Sequence, residues 1–238
     1  MAPREDSLLA HLEALRRTLL RMLAGTALLF PVGYALAPSA LRIVARHALP
    51  PGSGPLHFFA PMEAFWTQLR LGLALALAIG FPWNAWQAWR FLAPGLYAAE
   101  RAALRRWVGV SCLLFAAGVA FCLGAILPLV TRFGLGFATD DLRPLLRLGD
   151  MAELAGWMSL AFGAMFQAPV AAVAAVRLGL VQAETLAKAR PYAVVAVFVA
   201  SALLTPPDVV SQLLLALPTW LLFEIGLFAA RHPARRTP

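Results

Sequence analysis

The polar side chains that interrupt long apolar stretches are the residues of this chain best placed to do chemistry. Asn84 and Gln87 stand late in one stretch, and Gln167 sits in the middle of another, just ahead of Pro169. Asp208 opens a third, with Gln212 four residues on and on the same helical face. Glu224 follows on roughly that face. A polar group in hydrocarbon costs free energy unless it is paired or wetted. Gln and Asn at such depth link helices by hydrogen bonds, and Asp208 can cap the helix that follows it. Glu224, nearer the helix end, reads as a solvated terminus beside Arg231. Catalytic groupings read poorly. The chain has no G-x-x-x-x-G-K-[ST], H-E-x-x-H, G-x-S-x-G or C-x-x-C. His11, His47, His57 and His232 form no cluster, and Ser111, Ser159, Ser201 and Ser211 have no histidine in their own stretches. Cys112 and Cys122, ten apart in one apolar run, read as small core hydrophobes. No metal, cofactor or enzymatic activity is expected.

The elements that must position these groups follow from composition. The 238 residues are 61% hydrophobic and 13% charged, with mean hydropathy +0.74. Soluble domains are about 45–50% apolar and about 25% charged. That excludes a soluble enzyme, a disordered chain and a disulfide scaffold. Charge-free runs cover Met22–Leu41, Leu71–Trp89, Trp107–Thr131 and Leu154–Val176, each long enough to cross about 30 Å of hydrocarbon. Tyr192–Pro207 and Val209–Phe223 are shorter, and Thr205-Pro206-Pro207-Asp208 between them must turn. This tail is either a re-entrant hairpin or two short spans that thin the bilayer locally, and two spans are favoured. The expectation is an all-α membrane protein with one polytopic domain. It has a cytoplasmic helix over 1–20, spans over 22–41, 67–89, 107–131, 152–176, 191–205 and 209–230, and a tail over 231–238. Pro31, Pro82, Pro128, Pro169 and Pro218 fall inside spans, where they bend helices.

Charge sets the orientation. Net charge is +8, and Lys188 is the single lysine among 20 basic residues. In a chain this apolar the excess reads as positive inner loops and anionic lipid, not nucleic acid. With an even number of spans and the N-terminus inside, fourteen basic residues fall inside and six outside: Arg42, Arg46, Arg70, Arg132, Arg143 and Arg147. Both termini are therefore expected in the cytoplasm. Met1–Ser7 carries Arg4, Glu5 and Asp6 and precedes no small-residue cleavage site, so no cleavable leader is expected.

Several motifs carry a family resemblance. His11-Leu12-Glu13-Ala14-Leu15-Arg16-Arg17 resembles the H-L-x-E-L-R-x-R start of TatC, a subunit of the twin-arginine protein translocase. Pro61-Met62-Glu63-Ala64-Phe65-Trp66 with Arg70 resembles its P-x-E-x-F segment in the first outer loop. Phe91-Leu92-Ala93-Pro94-Gly95-Leu96-Tyr97 followed by Glu100-Arg101 is similar to its first cytoplasmic loop. Phe166-Gln167-Ala168-Pro169 resembles its F-E-x-P segment, and Arg190-Pro191-Tyr192 with Leu204-Thr205-Pro206-Pro207-Asp208-Val209 to Ser211-Gln212 resembles its last pair of spans. The resemblance covers about residues 8–231.

It implies six transmembrane helices in a concave, glove-like receptor in the bacterial cytoplasmic membrane, with both termini inside. It implies binding of twin-arginine signal peptides on folded cargo, TatA-like and TatB-like single-span partners, further TatC copies, and export driven by the proton-motive force. A guanidinium pair favours carboxylates in bidentate geometry, which makes Glu100 the leading peptide contact, with Glu13, Arg16, Arg17 and Pro94 beside it. Gln167, Pro206, Asp208 and Gln212 would meet partner helices, and Pro61, Glu63 and Phe65 belong to the outer loop. Three positions depart from the pattern. Glu13 stands one residue before the family glutamate, whose place is Ala14, and Thr18 stands where a second arginine is usual. Gln167 replaces a frequent glutamate, keeping hydrogen bonding but losing titration. A solute permease and a membrane scaffold are the alternatives, though the two halves lack the evident repeat of a permease.

Overall fold

The computed structural model describes residues 3–50, 54–92, 104–139, 144–177, 179–204 and 209–231. Ten α-helices and one π-helical turn make up the described secondary structure. The helix α1 runs Pro3–Ala48 without interruption, so the amphipathic start and the first apolar run are one helix. Pro38 lies inside it and cannot donate to the carbonyl of Tyr34, four residues back. Gln68 Nε2 fills that vacancy at 3.3 Å from Tyr34 O. A neighbouring helix thus satisfies the group that the proline orphans.

The second apolar run is two helices, α2 (Glu63–Ile79) and α3 (Phe81–Leu92), bent by 52° at Gly80. Pro82 sits in the first turn of α3, where its missing N–H costs nothing. The third run is α4 (Leu104–Phe121), a π turn (Cys122–Ile126) and α5 (Leu127–Leu135). The π turn immediately precedes Pro128, which would otherwise interrupt the hydrogen-bond ladder. The fourth is α6 (Leu148–Met165) and α7 (Ala168–Arg177), broken at Phe166–Gln167 ahead of Pro169. A short α8 (Ala183–Lys188) leads into α9 (Arg190–Leu204) and α10 (Val209–Arg231).

Packing follows the distribution of small residues. α1 lies along α2, and α6 is sandwiched between α2 and α4. A Cβ on Gly33 would stand 2.3 Å from Gly72 O, so these two helices approach backbone to backbone. Gly226 of α10 similarly rests on Pro169 of α7, where a Cβ would meet Pro169 Cα at 2.5 Å. The core runs along α6: Met158 and Phe162 pack with Cys122, Ile126 and Leu215, and Met151 and Ala155 pack with Ala48 and Leu127. By contrast α1 turns Leu23, Leu28 and Ile43 outward, with Leu28 80% exposed. Unbroken apolar surface of this kind is stable against lipid and not against water. Among the described residues four helical stretches are long and apolar enough to span a membrane, the bent α2–α3 pair makes a fifth, and Arg190–Ala202 is a shorter apolar helix.

Candidate functional site

Three polar constellations gather the residues singled out by sequence. The first lies at the end of α1 that sequence reading places inside. The His11 ring packs against Phe91 at the end of α3, with centroids 4.9 Å apart. This contact sets the segment carrying Glu13, Arg16 and Arg17 beside the C-terminal end of α3. Glu13 accepts a hydrogen bond from Arg17, one turn along, and both side chains are exposed. Arg16 is exposed as well. Thr18, at the place of the usual second arginine, is buried and donates to Ala14 O at 2.9 Å. Pro94 and Glu100 lie outside the described residues.

The second constellation is intramembrane. Gln167 occupies the break between α6 and α7, where its Nε2 donates to Ser111 O of α4 at 3.0 Å. Ser111 is buried and its hydroxyl accepts from Trp89 Nε1 of α3, also at 3.0 Å. Three spans are thereby tied through one serine. Trp89 stacks on Trp107, and Arg177 lies over the Trp107 ring at 4.9 Å. Gln212 Nε2 donates to Phe198 O at 3.1 Å, joining α10 to α9. Pro206 and Asp208 lie outside the described residues. Glu224 is not a helix end facing Arg231. It accepts from Arg190 at 2.7 Å, fastening the start of α9 to the last third of α10.

The third constellation is where the loops before α2 and α6 meet those helices: of the residues expected in the outer loop, Pro61 lies in the loop, whereas Glu63 and Phe65 lie in the first turn of α2. Glu63 is buried and accepts three hydrogen bonds: from Arg147 Nε at 2.7 Å, Phe59 N at 2.8 Å and Gly149 N at 3.3 Å. The Arg147 guanidinium, and then the Phe59 N–H, pull the Glu63 carboxyl down to about 2. Beside it the two loops pair as a short parallel bridge, with His57 N donating to Leu146 O at 2.9 Å and Leu148 N to His57 O at 2.8 Å. Pro61 is exposed, and Phe65 is half exposed with its ring edge on Trp66 at 5.5 Å.

Sequence reading missed Ser111, Trp89 and Arg147 as partners. The signal for Arg147 was its position outside, against the inner bias of basic residues. Among the described residues no group of three or more His, Cys, Asp or Glu is placed to hold a metal ion.

Known proteins match over nearly the whole chain. Residues 10–218 match the family described as Sec-independent protein translocase protein (TatC). The protein of that name from Carboxydothermus hydrogenoformans is 34% identical over 97% of this chain and 95% of its own. That of Escherichia coli K12 is 34% identical over 94% and 88%. A crystal structure described as the twin-arginine translocase receptor TatC superposes with a TM-score of 0.83 at 30% identity, covering 93% of this chain and 98% of the other.

Proposed function

This chain belongs to the TatC family, multi-pass membrane components of a protein translocase and not enzymes, and on that premise we propose that it is the receptor and core subunit of twin-arginine translocation. It binds the twin-arginine signal peptides of folded precursors and organises TatA-like and TatB-like single-span subunits for export driven by the proton-motive force. It works beside other copies of itself in the bacterial cytoplasmic membrane. Six spans in a concave, glove-like arrangement place both termini in the cytoplasm, with the α2–α3 pair as one span and α9 as a short one.

The observation that carries this reading is the contact of His11 with Phe91. It brings the segment of the exposed Glu13, Arg16 and Arg17 to the C-terminal end of α3, the helix that precedes Pro94 and Glu100 in the chain. Glu13 is already paired with Arg17, and an exposed pair of this kind is weak. An incoming arginine pair can take the Glu13 carboxylate in exchange, so the shifted glutamate still serves. Gln167, with Pro206, Asp208 and Gln212 at the outer turn of the last two spans, receives partner helices. The outer loop around Pro61, Glu63 and Phe65 holds the spans in register.

Site-specific photocrosslinking in membranes tests the reading. A probe beside Glu100 is expected to capture a twin-arginine precursor, and capture is expected to vanish with Glu100→Ala or when the precursor arginines become lysines. A weaker loss is expected with Glu13→Ala. Failure of any twin-arginine precursor to crosslink with partner subunits present overturns the receptor assignment.

A further inference from the structure

Where α1 ends, three arginines and a histidine surround one open cavity. Arg42, Arg46 and His47 come from α1 and Arg132 from α5, and the cavity holds about 640 Å³. All four side chains are exposed. Among the described residues none of the three arginines stands within ion-pair distance of a carboxylate, although Arg42 bonds Pro38 O and Ser39 Oγ. The floor is apolar, formed by Leu41, Leu49 and Leu56. Its walls are fixed: Thr131 Oγ1 of α5 donates to Ala48 O at 2.6 Å, and Ala48 packs with Leu127 and Met151.

A second cavity of about 300 Å³ shares His47 and Arg132 and runs along the π turn and α5 past Gly124, Ala125, Pro128 and Leu129. Gly124 opens onto free space, since a Cβ there would meet nothing within 4 Å. Leu129, which lines it, is exposed. The basic cavity therefore continues into an apolar furrow on the outside of the bundle, within the charge-free run. A single arginine at a helix end snorkels to the headgroup layer without further design. Three from two helices, converging above an apolar furrow, match an amphiphile with one anionic end.

We propose that this cleft is a binding site for an anionic phospholipid, with the phosphodiester held by Arg42, Arg46 and Arg132 and one acyl chain lying in the furrow at Gly124 and Leu129. Charge complementarity favours an acidic headgroup over a zwitterionic one, because the described groups around the cavity offer cations and no carboxylate. The furrow favours a lipid over a free anion. On the topology proposed above the site faces the outer leaflet, and binding does not depend on that placement. These arginines run against the inner bias of basic residues, and a bound anion gives a reason for them to stand there.

Native mass spectrometry of the full chain in detergent, titrated with phosphatidylglycerol or phosphatidylcholine, tests the site. Each basic residue near an anionic headgroup contributes about fivefold in affinity. The triple variant Arg42→Gln, Arg46→Gln, Arg132→Gln is therefore expected to lose affinity for phosphatidylglycerol by about a hundredfold, and Arg→Lys at the same positions to retain most of it. The control Arg70→Gln, Arg90→Gln, Lys188→Gln removes equal charge elsewhere and is expected to bind as the parent does. Gly124→Trp fills open space, leaves the arginines in place, and is expected to weaken phosphatidylglycerol. Equal loss in the control reduces the effect to net charge and overturns the proposal. Displacement of the lipid by equimolar inorganic phosphate, or no effect of Gly124→Trp, makes the cleft a free-anion site and overturns it too.

Discussion

Arg147 donates from Nε to Glu63 Oε1 across 2.7 Å, joining positions 84 residues apart in the chain. The same carboxylate receives Phe59 N and Gly149 N. One side chain thus ends two loops and starts two helices, α2 and α6.

Glu63→Gln keeps the size and removes the charge that three donors address. It is expected to lower the melting temperature in detergent by several degrees and to speed protease cleavage in the loops before α2 and α6. The pH dependence has a fixed sign. The carboxyl lies at about 2 against an ordinary 4.5, so its contribution is complete above about 4.5 and fades as pH falls towards about 2. The parent should lose loop protection across that window, and Glu63→Gln should show a flatter profile. An equally steep profile in the variant would assign the acid lability to other groups.

Gln167 joins the α6–α7 break to Ser111 O. Gln167→Met preserves volume and removes the donor, with an expected cost of about 0.5–1 kcal/mol. Crosslinking of a single-span partner to α7 is expected to fall with it. Gln167→Glu is expected to keep export only with its carboxyl protonated, since only that form retains a donor for Ser111 O. Export in Gln167→Met at the parent rate would show that this contact is dispensable.

Arg190 and Glu224 are partly exposed and pair at 2.7 Å. A double-mutant cycle with Arg190→Ala and Glu224→Ala is expected to yield a coupling of about 0.5 kcal/mol. It should shrink in high salt. A coupling of zero would place the joining of α9 to α10 on Gln212 and on packing alone.

Gly33 is the tightest described approach between α1 and α2. Gly33→Ala puts a methyl 2.3 Å from Gly72 O and 2.9 Å from Ala76 N. Overpacking of this kind costs about 1–3 kcal/mol. Unfolding in mixed micelles should register it, while Gly124→Ala, in open space, should be neutral.

Much of this architecture is readable from the chain. The third and fourth charge-free runs fall within two long apolar helical stretches, Arg106–Leu135 and Leu148–Arg177, because few charges are tolerated over that length in lipid. Proline positions mark the bends at Gly80 and at Phe166–Gln167. They mislead in α1, where Pro31 and Pro38 sit inside an unbroken helix. The reason at Pro38 is a partner 34 residues away, Gln68, that no local pattern announces. The same limit applies to the polar sites. Gln167 and Gln212 stand out as polar residues in apolar runs, but their acceptors Ser111 O and Phe198 O are backbone atoms any residue would supply. Glu224 looked like a free end because Arg231 is near it in sequence, whereas Arg190 is near it in space.

α1 is held unevenly along its length. Towards Ala48 it is fastened by Gly33 on Gly72, by Gln68 and by Thr131. Further towards Pro3 it is held by Trp83, whose indole donates to Arg21 O at 3.1 Å and fills the space beside Gly25. From Arg21 the helix continues for about 27 Å to Pro3, steadied by the ring of His11 against Phe91. Mechanically this is a lever with Trp83 as its fulcrum. A tilt of about 10° there sweeps the tip through about 5 Å at the helical rise of about 1.5 Å per residue. A displacement too small to disturb the packed half towards Ala48 thus moves the end of the arm by the width of a side chain.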